Sequence, residues 1–345
     1  MIALDATYSV GSGLTGVGVY CREVLYGLAA AHPEARFRFC YRPHRFFKAF
    51  REPLPSNARR GLLQEPLGWG WSELFHGLNQ RLPRTRLRRA VTTFHDLFVL
   101  TGDYSTPEFR RRFAEQARDA AARSDLILTV SEFTRGQVRD LLGVEPSRIR
   151  AIPHGVHPRT PRDVPRQPVI LHVGAIQKRK NLERLVEAFE RIFADRPEWR
   201  LVLAGGAGYG AAAILDRIAR SGCRSRIQVT GYVTPEELDH WYATASVFAF
   251  PSLDEGFGIP VLEAMAAGLP VVTSRRAALP EAAGDAALLI DPEDTDELAS
   301  ALERLSLDEE FRRTHRQRGL VRAAQFPWTR TVERTWEAYR SLLTG

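Results

Sequence analysis

The sequence predicts an α/β protein of two doubly wound domains that face a cleft, each a parallel sheet covered by helices. The chain has 345 residues, and two domains of about 150 residues are expected because one hydrophobic core rarely grows that large. Apolar strand segments alternate with helical segments in two blocks, a pattern typical of parallel sheets. A proline-rich stretch at residues 157–168 separates the blocks and predicts a linker.

The first block, residues 1–156, begins with an apolar strand that leads into a glycine-rich loop at residues 11–18. Phe37 and Phe39 alternate with polar residues, as one face of a strand does, and Ser131 has the position of a helix N-cap. Residues 42–90 show little periodicity and predict a loop-rich region. Strands are predicted at 2–5, 36–41, 91–94, 125–130 and 149–152, with one helix after the glycine loop and another near 107–123.

The second block, residues 169–325, repeats this alternation. Apolar residues recur along one face of a predicted helix at 181–193, where Asn181 is a candidate N-cap. Thr234 and Glu237 have the spacing of a capping box. Strands are predicted at 169–173, 201–204, 227–230, 247–250, 271–273 and 287–290.

The last segment of the chain predicts one amphipathic helix of about 16 residues. If this stripe were exposed, its two tryptophans would form a large apolar patch, so the helix must dock on another surface. The residues on the stripe are Trp328, Val332, Trp336, Tyr339 and Leu343.

Composition is typical of a globular protein. Hydrophobic residues make up 44% and charged residues 26% of the chain, which excludes wholesale disorder. No apolar run reaches the roughly 18 residues of a spanning helix, and we expect no secretory leader because the opening residues lack a basic region. Cys21, Cys40 and Cys223 are far apart, which suits a reducing cytoplasm and offers neither a disulfide framework nor a zinc site.

Charge is distributed unevenly along the chain. Residues 1–160 hold 24 lysines and arginines against 15 acidic residues, whereas residues 161–345 hold 24 against 26. The basic first half indicates an anionic partner, namely a membrane surface, a nucleic acid or a phosphorylated substrate, unless it reflects an arginine-rich proteome. The arginine clusters at 81–89 and 110–112 contain no interleaved aromatic residues, which favours a solvated face or a membrane-docking patch over nucleic acid.

The segment with the strongest chemical signal is residues 251–268, PSLDEGFGIPVLEAMAAG. Pro260 suits the first turn of a helix and Gly268 its end. Residues 256–258 then form a loop directly before a helix N-terminus, where backbone amides bind phosphate. The alternative is a solvated helix start with a capping glutamate.

Two carboxylates frame this loop. Glu255 precedes the predicted helix and Glu263 lies one turn inside it, so both can face one ligand from different heights. Carboxylates accept paired hydrogen bonds from vicinal hydroxyls, which sugars and ribose present. The pair therefore indicates a ligand that carries a sugar.

A second candidate anion site is the basic stretch at residues 178–180. Lysine occurs only three times in the chain, at Lys48, Lys178 and Lys180, so two in one short stretch are unlikely to be drift. An ammonium binds phosphate as a point charge, and each charge-assisted hydrogen bond contributes roughly 1.5–3 kcal/mol. The alternative is a solvated basic turn.

These motifs, in this order, resemble those of retaining glycosyltransferases of family 4, which have the GT-B fold of two Rossmann-like domains. The resemblance covers nearly the whole chain and is specific for the fold and the donor class. One departure is Ala175, where many members carry arginine directly after the loop glycine. The matching segments are 16–20, 94–97, 131–134, 152–156, 173–181, 251–268, 279–286 and 326–328.

The resemblance implies a hexosyltransferase that moves a hexose, with retention at the anomeric carbon, to a saccharide or lipid-linked acceptor in cell-surface polysaccharide or glycoconjugate synthesis. The donor is a GDP- or UDP-linked sugar, and likeness to O-antigen and capsule mannosyl- or rhamnosyltransferases favours GDP-mannose. No cofactor is implied. We expect a cytoplasmic protein whose basic N-terminal half contacts the anionic inner membrane face, and no nucleic-acid partner.

The same resemblance implies the roles of the domains. Residues 1–156 bind the acceptor and residues 169–325 the nucleotide sugar. Residues 326–345 return to the N-terminal domain, so that the linker acts as a hinge and closure completes the site.

The resemblance also assigns catalytic residues. His95 contacts the donor sugar and polarises the transition state, Glu255 holds sugar hydroxyls, and Lys180 stabilises the leaving diphosphate in a front-face reaction without a metal. Glu263 holds the ribose. The donor-binding set is Gly16, Gly18, Arg179, Lys180, Glu255, Gly256, Phe257, Gly258 and Glu263.

Two other functions and one decoy remain beside this interpretation. A sugar-nucleotide 2-epimerase of the same fold would need acid and base groups at the second carbon of the sugar, and a non-catalytic nucleotide-sugar or nucleic-acid binding protein is favoured only by the basic first half. The Asp294-Thr295-Asp296 triplet resembles a metal motif, but its position at a helix start favours capping.

Overall fold

The computed structural model describes residues 1–11, 13–64, 72–159 and 164–344. The chain divides into two compact units. The first comprises residues 1–101, 106–155 and 328–345, and the second comprises residues 102–105 and 156–327. The described residues of the stretch predicted as a linker thus belong to the second unit, while residues 160–163 of that stretch lie outside the described part.

The first unit is built on a seven-stranded parallel sheet. The strand order is 3-2-1-4-5-6-7, so the direction of winding reverses between the first and fourth strands. In such sheets ligands bind beside this reversal, at the carboxyl ends of the strands. The strands are β1 (Ile2–Asp5), β2 (Phe37–Tyr41), β3 (Ala58–Leu62), β4 (Leu74–Gly77), β5 (Ala90–Phe94), β6 (Leu126–Thr129) and β7 (Ile149–Ala151).

Five helices follow strands of this sheet. Thr106 and Ser131 cap two of them, each accepting a backbone hydrogen bond through its side-chain oxygen. Short 3₁₀ turns occur at Thr7–Ser9, Phe47–Arg51 and Pro146–Arg148. The helices are α1 (Gly16–Ala31), α2 (Pro43–Phe46), α3 (Phe98–Thr101), α4 (Pro107–Arg123) and α5 (Glu132–Leu142).

The prediction of a loop-rich region at residues 42–90 missed β3 and β4, which lie there, whereas residues 52–57 and 78–89 form neither helix nor strand. β3 lies at the edge of the sheet beside β2. Its sequence Ala-Arg-Arg-Gly-Leu lacks an apolar run, and of its five residues only Ala58 is buried. β4 is fully buried but has only four residues, one of them His76. Residues 65–71 of this region lie outside the described part.

The second unit is built on a six-stranded parallel sheet in the order 10-9-8-11-12-13. Its strands confirm the predicted segments to within a residue or two, since strands covered on both faces are continuous apolar runs. The winding reverses between the neighbouring strands β8 and β11. The strands are β8 (Val169–Val173), β9 (Arg200–Ala204), β10 (Ile227–Gly231), β11 (Val247–Phe250), β12 (Val271–Ser274) and β13 (Leu288–Ile290).

The predicted caps at Thr234 and Asn181 in the second unit have different outcomes. Thr234 and Glu237 form the predicted capping box. Asn181 precedes a helix, but its side chain does not cap it and instead donates to the carbonyls of Pro251 and Pro292 at 3.2 and 2.6 Å. The helices are α6 (Leu182–Phe193), α7 (Ala211–Ala219), α8 (Pro235–Thr244), α9 (Ile259–Ala266), α10 (Leu279–Ala283), α11 (Thr295–Leu307) and α12 (Glu309–Ala323); 3₁₀ turns occur at Lys178–Lys180 and Arg224–Arg226.

The final helix, α13 (Trp328–Leu343), belongs to the first unit and packs on α1. Its apolar stripe makes the contact. Val332 lies so close to Gly27 that a Cβ added there would be 2.5 Å from a Val332 methyl. The Trp336 indole stacks on the His32 ring with centroids 3.9 Å apart. Among the described residues, no helix is long and apolar enough to cross a membrane.

Candidate functional site

The candidate site of the second unit lies where its sheet reverses direction. The segment after β8 leads to Lys180, and the segment after β11 leads to Glu255. Because β8 and β11 are parallel neighbours, their carboxyl ends lie side by side. Two side chains 75 positions apart in sequence are thereby brought into contact.

Lys180, Arg179 and Glu255 form one charged cluster. The Lys180 ammonium donates to Glu255 Oε1, and the Arg179 guanidinium lies 2.7 Å from the same oxygen. The ammonium also lies 4.4 Å from the centroid of the Phe250 ring, within the range of a cation–π contact. Lys180 and Glu255 are only 5% and 8% exposed.

The electrostatics of this cluster bring two cations to one carboxylate. Burial alone raises the pKa of Glu255, but the charges of Arg179 and Lys180 outweigh it and hold that pKa at about 2. Glu255 is therefore ionised at neutral pH and contacts both cations. Two cations at the strand ends would attract a diphosphate.

Hydrogen bonds to main-chain carbonyls connect the two segments. Arg179 Nη1 donates to the carbonyl of Asp254 at 2.8 Å. The amide of Leu253 donates to the carbonyl of Arg179, also at 2.8 Å. The charged cluster is thus held by main chain as well as by side chains, which preorganises it for a ligand.

Glycines allow the close approach of backbone around this cluster. A Cβ on Gly205, at the end of β9, would lie 1.9 Å from the carbonyl oxygen of Gly174, so only glycine fits. Gly258 directly precedes α9 with a φ of +106°, a conformation that other residues rarely adopt. These two positions bring the main chain of the predicted phosphate loops close to the strand ends.

In the predicted donor-binding loop, the backbone lies directly before a helix N-terminus, whereas the side chain of Phe257 is buried. Gly256, Phe257 and Gly258 precede α9, as the sequence predicted. The Phe257 ring is 4% exposed and packs edge-to-face on Phe326 at 5.9 Å, so it is part of the core. Donor contact by this loop stays a prediction, and it would use the backbone.

Glu263 lies in α9 and does not share the cations of Glu255. It accepts a hydrogen bond of 3.0 Å from the Tyr242 hydroxyl. Burial raises the pKa of Glu263, and the charge of Arg159 together with the Tyr242 hydrogen bond opposes that rise. Its assignment to the ribose stays a prediction.

In the first unit, His95 directly follows β5. Its Nε2 lies 2.9 Å from the Leu78 carbonyl oxygen. Because a carbonyl can only accept, Nε2 carries the proton and Nδ1 is left as an acceptor. Burial lowers the pKa of His95 to about 4, against the opposing effect of this hydrogen bond, so the ring is neutral at pH 7.

Other aromatic rings surround His95. Tyr20 lies edge-on with centroids 4.8 Å apart, and His154 is stacked at 5.4 Å. The Tyr20 hydroxyl is 2.9 Å from Thr93 Oγ1. The ring of His95 is therefore fixed by packing on two sides.

A chain of hydrogen bonds joins these groups to the last helix. His76 in β4 contacts Thr93 through Nε2, at 2.8 Å, and the Tyr339 hydroxyl of α13 through Nδ1. Burial lowers the pKa of His76 to about 3 and that of His154 well below its usual value, with the nearby His95 as a smaller cause. The sequence did not reveal this neutral network of Tyr20, His76, Thr93 and Tyr339. It singled out the segments of Tyr20 and His154, a strand that contains Thr93 and the helix stripe that contains Tyr339, but not their contacts.

The predicted glycine loop ends earlier than expected. Gly16 and Gly18 lie in the first turn of α1 rather than before it. A Cβ on Gly18 would lie 2.9 Å from the Tyr8 carbonyl oxygen, so glycine lets the turn at Thr7–Ser9 pack against the helix. The first amides of a helix have no acceptor within it, which keeps Gly16 and Gly18 as candidate donor contacts.

The structure therefore assembles the predicted residues as two sets. Arg179, Lys180 and Glu255 meet in the second unit, with residues 256–258 adjacent, while Gly16, Gly18 and His95 belong to the first. Among the described residues, no group of three or more His, Cys, Asp or Glu side chains could hold a metal ion. Asp294 accepts from the amides of Asp296 and Glu297 at 2.9 Å each, so it caps α11.

Two family models match the chain. The model described as Glycosyltransferase Family 4 matches residues 15–160. The model described as Glycosyl transferases group 1 matches residues 167–308. The two matches fall on the two halves that carry the two sets of predicted residues.

Known proteins resemble the chain along its whole length. The O-antigen chain mannosyltransferase B of Escherichia coli is 32% identical, with 99% of this chain and 100% of that protein covered. Two solved structures, a sucrose-phosphate synthase from Thermosynechococcus elongatus and the Anabaena protein HepE in complex with UDP and glucose, superpose with a TM-score of 0.76 each. Their identities are 23% and 18%, each with 99% of both chains covered, and with the two parallel sheets they show the GT-B fold.

Proposed function

The chain belongs to glycosyltransferase family 4, and we propose that it transfers mannose from GDP-mannose, with retention of configuration, to a saccharide or lipid-linked acceptor in cell-surface polysaccharide synthesis. The observation that carries a sugar-nucleotide donor is the buried cluster of Arg179, Lys180 and Glu255 at the sheet reversal. Mannose is supported by the 32% identical relative, which is a mannosyltransferase of the O-antigen chain.

The charged cluster suits the departure of a nucleoside diphosphate. As the bond between the anomeric carbon and the phosphate oxygen breaks, negative charge grows on the diphosphate. Lys180 and Arg179 lie where that charge can be stabilised, and Glu255 keeps both cations oriented before the donor arrives. We assign the amides of residues 256–258, at the N-terminus of α9, to the same diphosphate.

We assign a front-face course to the transfer. The acceptor hydroxyl attacks the anomeric carbon from the side that the diphosphate leaves, and the new carbon–oxygen bond keeps the original configuration. The departing phosphate oxygen takes the acceptor proton, which yields the nucleoside diphosphate. This course requires no protein nucleophile. Glu255 does not have the environment of a nucleophile, because its carboxylate is held by two cations.

His95 fits contact with the transferred sugar better than general-base catalysis. With Nε2 donating to the Leu78 carbonyl, Nδ1 can accept a hydrogen bond from a sugar hydroxyl. A ring whose pKa is about 4 is neutral at pH 7 and is a weak base. Gly16 and Gly18 are assigned to the diphosphate through backbone amides.

The experiment that tests this function combines donor selection with turnover. The full chain is screened by thermal shift against GDP-mannose, GDP, UDP-glucose and UDP in EDTA, since a bound ligand stabilises in proportion to RT ln(1 + [L]/Kd). We expect the largest shift with GDP-mannose and slow release of GDP from it. A thermal shift without release of GDP would contradict the transferase assignment and indicate a binding protein. Turnover that requires added manganese or magnesium would contradict the metal-free mechanism.

Membrane contact through the basic first half is part of the proposal, because a lipid-linked acceptor would be presented at a membrane surface.

A further inference from the structure

Two phenylalanine rings of the first unit project into solvent. Phe47 is 82% exposed and Phe50 is 59% exposed. Both lie in the 3₁₀ turn Phe47–Arg51, directly after α2 at the carboxyl end of β2. Single exposed apolar residues are common on protein surfaces, but two exposed aromatic rings in one five-residue turn form a patch that calls for a partner.

The exposed rings are held in place. Phe46 packs against the core of the first unit and contacts both rings edge-to-face, at 5.9 Å from Phe47 and 5.4 Å from Phe50. Ala49, between them, is fully buried. Because Phe46 and Ala49 are packed, the turn cannot fold its rings inward without losing these contacts.

A single arginine fastens the same turn from the neighbouring strand. Arg60 of β3 donates to the carbonyls of Ala49 and Glu52 at 3.1 and 2.6 Å. Its guanidinium lies 5.0 Å from the centroid of the Phe50 ring. The turn is therefore a fixed projection that presents its rings outward.

Exposed cations accompany the rings. Lys48 and Arg51 lie in the same turn and are both exposed. The nearest carboxylate along the chain, Glu52, is paired with Arg22 at 3.2 Å. We call Phe47, Lys48, Phe50 and Arg51 the aromatic–basic patch. Its rings suit the interfacial layer of a bilayer and its cations suit lipid phosphates.

We propose that the aromatic–basic patch docks the first unit on an anionic phospholipid surface. Phe47 and Phe50 insert at the level of the head groups, while Lys48 and Arg51 contact the phosphates. The two contributions are needed together because one apolar anchor alone gives only marginal, reversible binding. This inference deepens the proposed function and rests on it for its purpose, the meeting with a lipid-linked acceptor, whereas the binding itself requires no catalysis.

The test is co-sedimentation of the full chain with vesicles of two compositions, phosphatidylcholine alone and phosphatidylcholine mixed with phosphatidylglycerol. We expect binding to the anionic vesicles that weakens as salt is added. Phe47→Ser with Phe50→Ser should lower the partition coefficient about a hundredfold. Lys48→Ala with Arg51→Ala should lower it about tenfold, and only on anionic vesicles.

A matched control is Tyr232→Ser, which removes an aromatic side chain that is 65% exposed in the second unit. It should leave vesicle binding unchanged. Equal binding by the double phenylalanine variant, or no binding by the unmodified chain, would overturn the proposal. So would a dimer in solution that the same variant dissociates, since the patch would then contact a second copy.

Failure of this inference is distinguishable from failure of the proposed function. Release of GDP from GDP-mannose in the absence of vesicles reports only on the donor site. If release occurs without vesicle binding, the membrane role of the patch is wrong and the transferase assignment is unaffected. If vesicle binding occurs without release from any donor, the patch stands and the transferase assignment fails.

Discussion

In the first unit the buried polar groups near the ends of β4 and β5 are neutral, whereas those that follow β8 and β11 in the second unit are charged. His95 and His76 have pKa values lowered by burial to about 4 and 3, so they are uncharged at pH 7. In the second unit, Glu255 stays ionised down to a pKa of about 2, because Arg179 and Lys180 outweigh its burial.

The difference shows how one sheet architecture supports two kinds of site. A neutral network gains stability from hydrogen bonds that can each be lost at modest cost. A buried charged cluster depends most on its shared member, because removing Glu255 takes the carboxylate away from both cations. In the proposed function, the charged cluster of the second unit serves the diphosphate and the neutral His95 of the first unit serves a hydroxyl of the sugar.

The largest expected effect is that of removing the shared carboxylate. Glu255→Ala removes the carboxylate that two cations share and should lower the free energy of unfolding by about 3–5 kcal/mol. Urea unfolding of the full chain measures the loss. The control is Glu303→Ala, whose partner Arg196 lies 3.5 Å away at a partly exposed site and whose removal should change little. Similar losses in both variants would show that the cluster is not the special feature of the second unit.

Removal of a cation should act on turnover rather than on stability alone. Lys180→Ala should raise the activation barrier by about 2–4 kcal/mol, the cost of losing one preorganised donor, as measured by kcat/KM for the nucleotide sugar. Lys178→Ala is the matched control, since Lys178 is exposed and lies 3.5 Å from Asp103. An unchanged kcat/KM in the first variant, or an equal loss in the second, would contradict the assignment.

Acid should destabilise the first unit more than the second. A histidine whose pKa is lowered in the folded state is protonated first in the unfolded state, so stability falls as the pH drops below about 6.5. His76, His95 and His154 act in this direction in the first unit and His172, buried beside Lys180, in the second.

From pH 7 to pH 6 we expect the first unit to lose about 2 kcal/mol and the second about 0.7 kcal/mol from these groups. Urea unfolding at the two pH values, followed by hydrogen exchange resolved to each unit, measures both losses. Glu255 does not contribute in this window, because its stabilisation is lost only as the pH falls below about 4.5. Equal losses in the two units would contradict the contrast between the neutral groups of the first unit and the charged cluster of the second.

The smallest expected effect is at the link between α13 and the neutral network. Tyr339→Phe removes the hydroxyl that contacts His76 and should lower the free energy of unfolding of the first unit by about 1 kcal/mol or slightly more. Tyr26→Phe removes a hydroxyl that donates to the Pro53 carbonyl at a partly exposed site. If the two variants lose the same amount, the buried network adds nothing beyond an ordinary surface hydrogen bond.

The sequence predicted most strands because parallel strands with both faces covered are continuous apolar runs, as β11 is. It missed β3, whose exposed edge allows two arginines, and β4, which is short and carries a histidine. Local patterning does not reveal a strand whose apolar run is interrupted by side chains that find polar partners or solvent.

The sequence named the members of the charged cluster but not their pairing. Lys180 and Glu255 were expected to contact different parts of the donor, and their contact depends on β8 and β11 being neighbours. The neutral network was hidden for the same reason, since His76 and Tyr339 are 263 positions apart. Contacts that depend on strand order or on a returning helix cannot be predicted from the local spacing of residues.

Calorimetric titration of GDP and GMP, with UDP and UMP in parallel, tests whether the charged cluster binds the diphosphate; it is done in EDTA with the unmodified chain, Lys180→Ala and Lys178→Ala. We expect the diphosphate to bind more tightly than the monophosphate, and Lys180→Ala to weaken the diphosphate about ten- to hundredfold while leaving the monophosphate nearly unchanged. Equal weakening of both nucleotides, or of neither, would contradict the assignment of the cluster to the diphosphate.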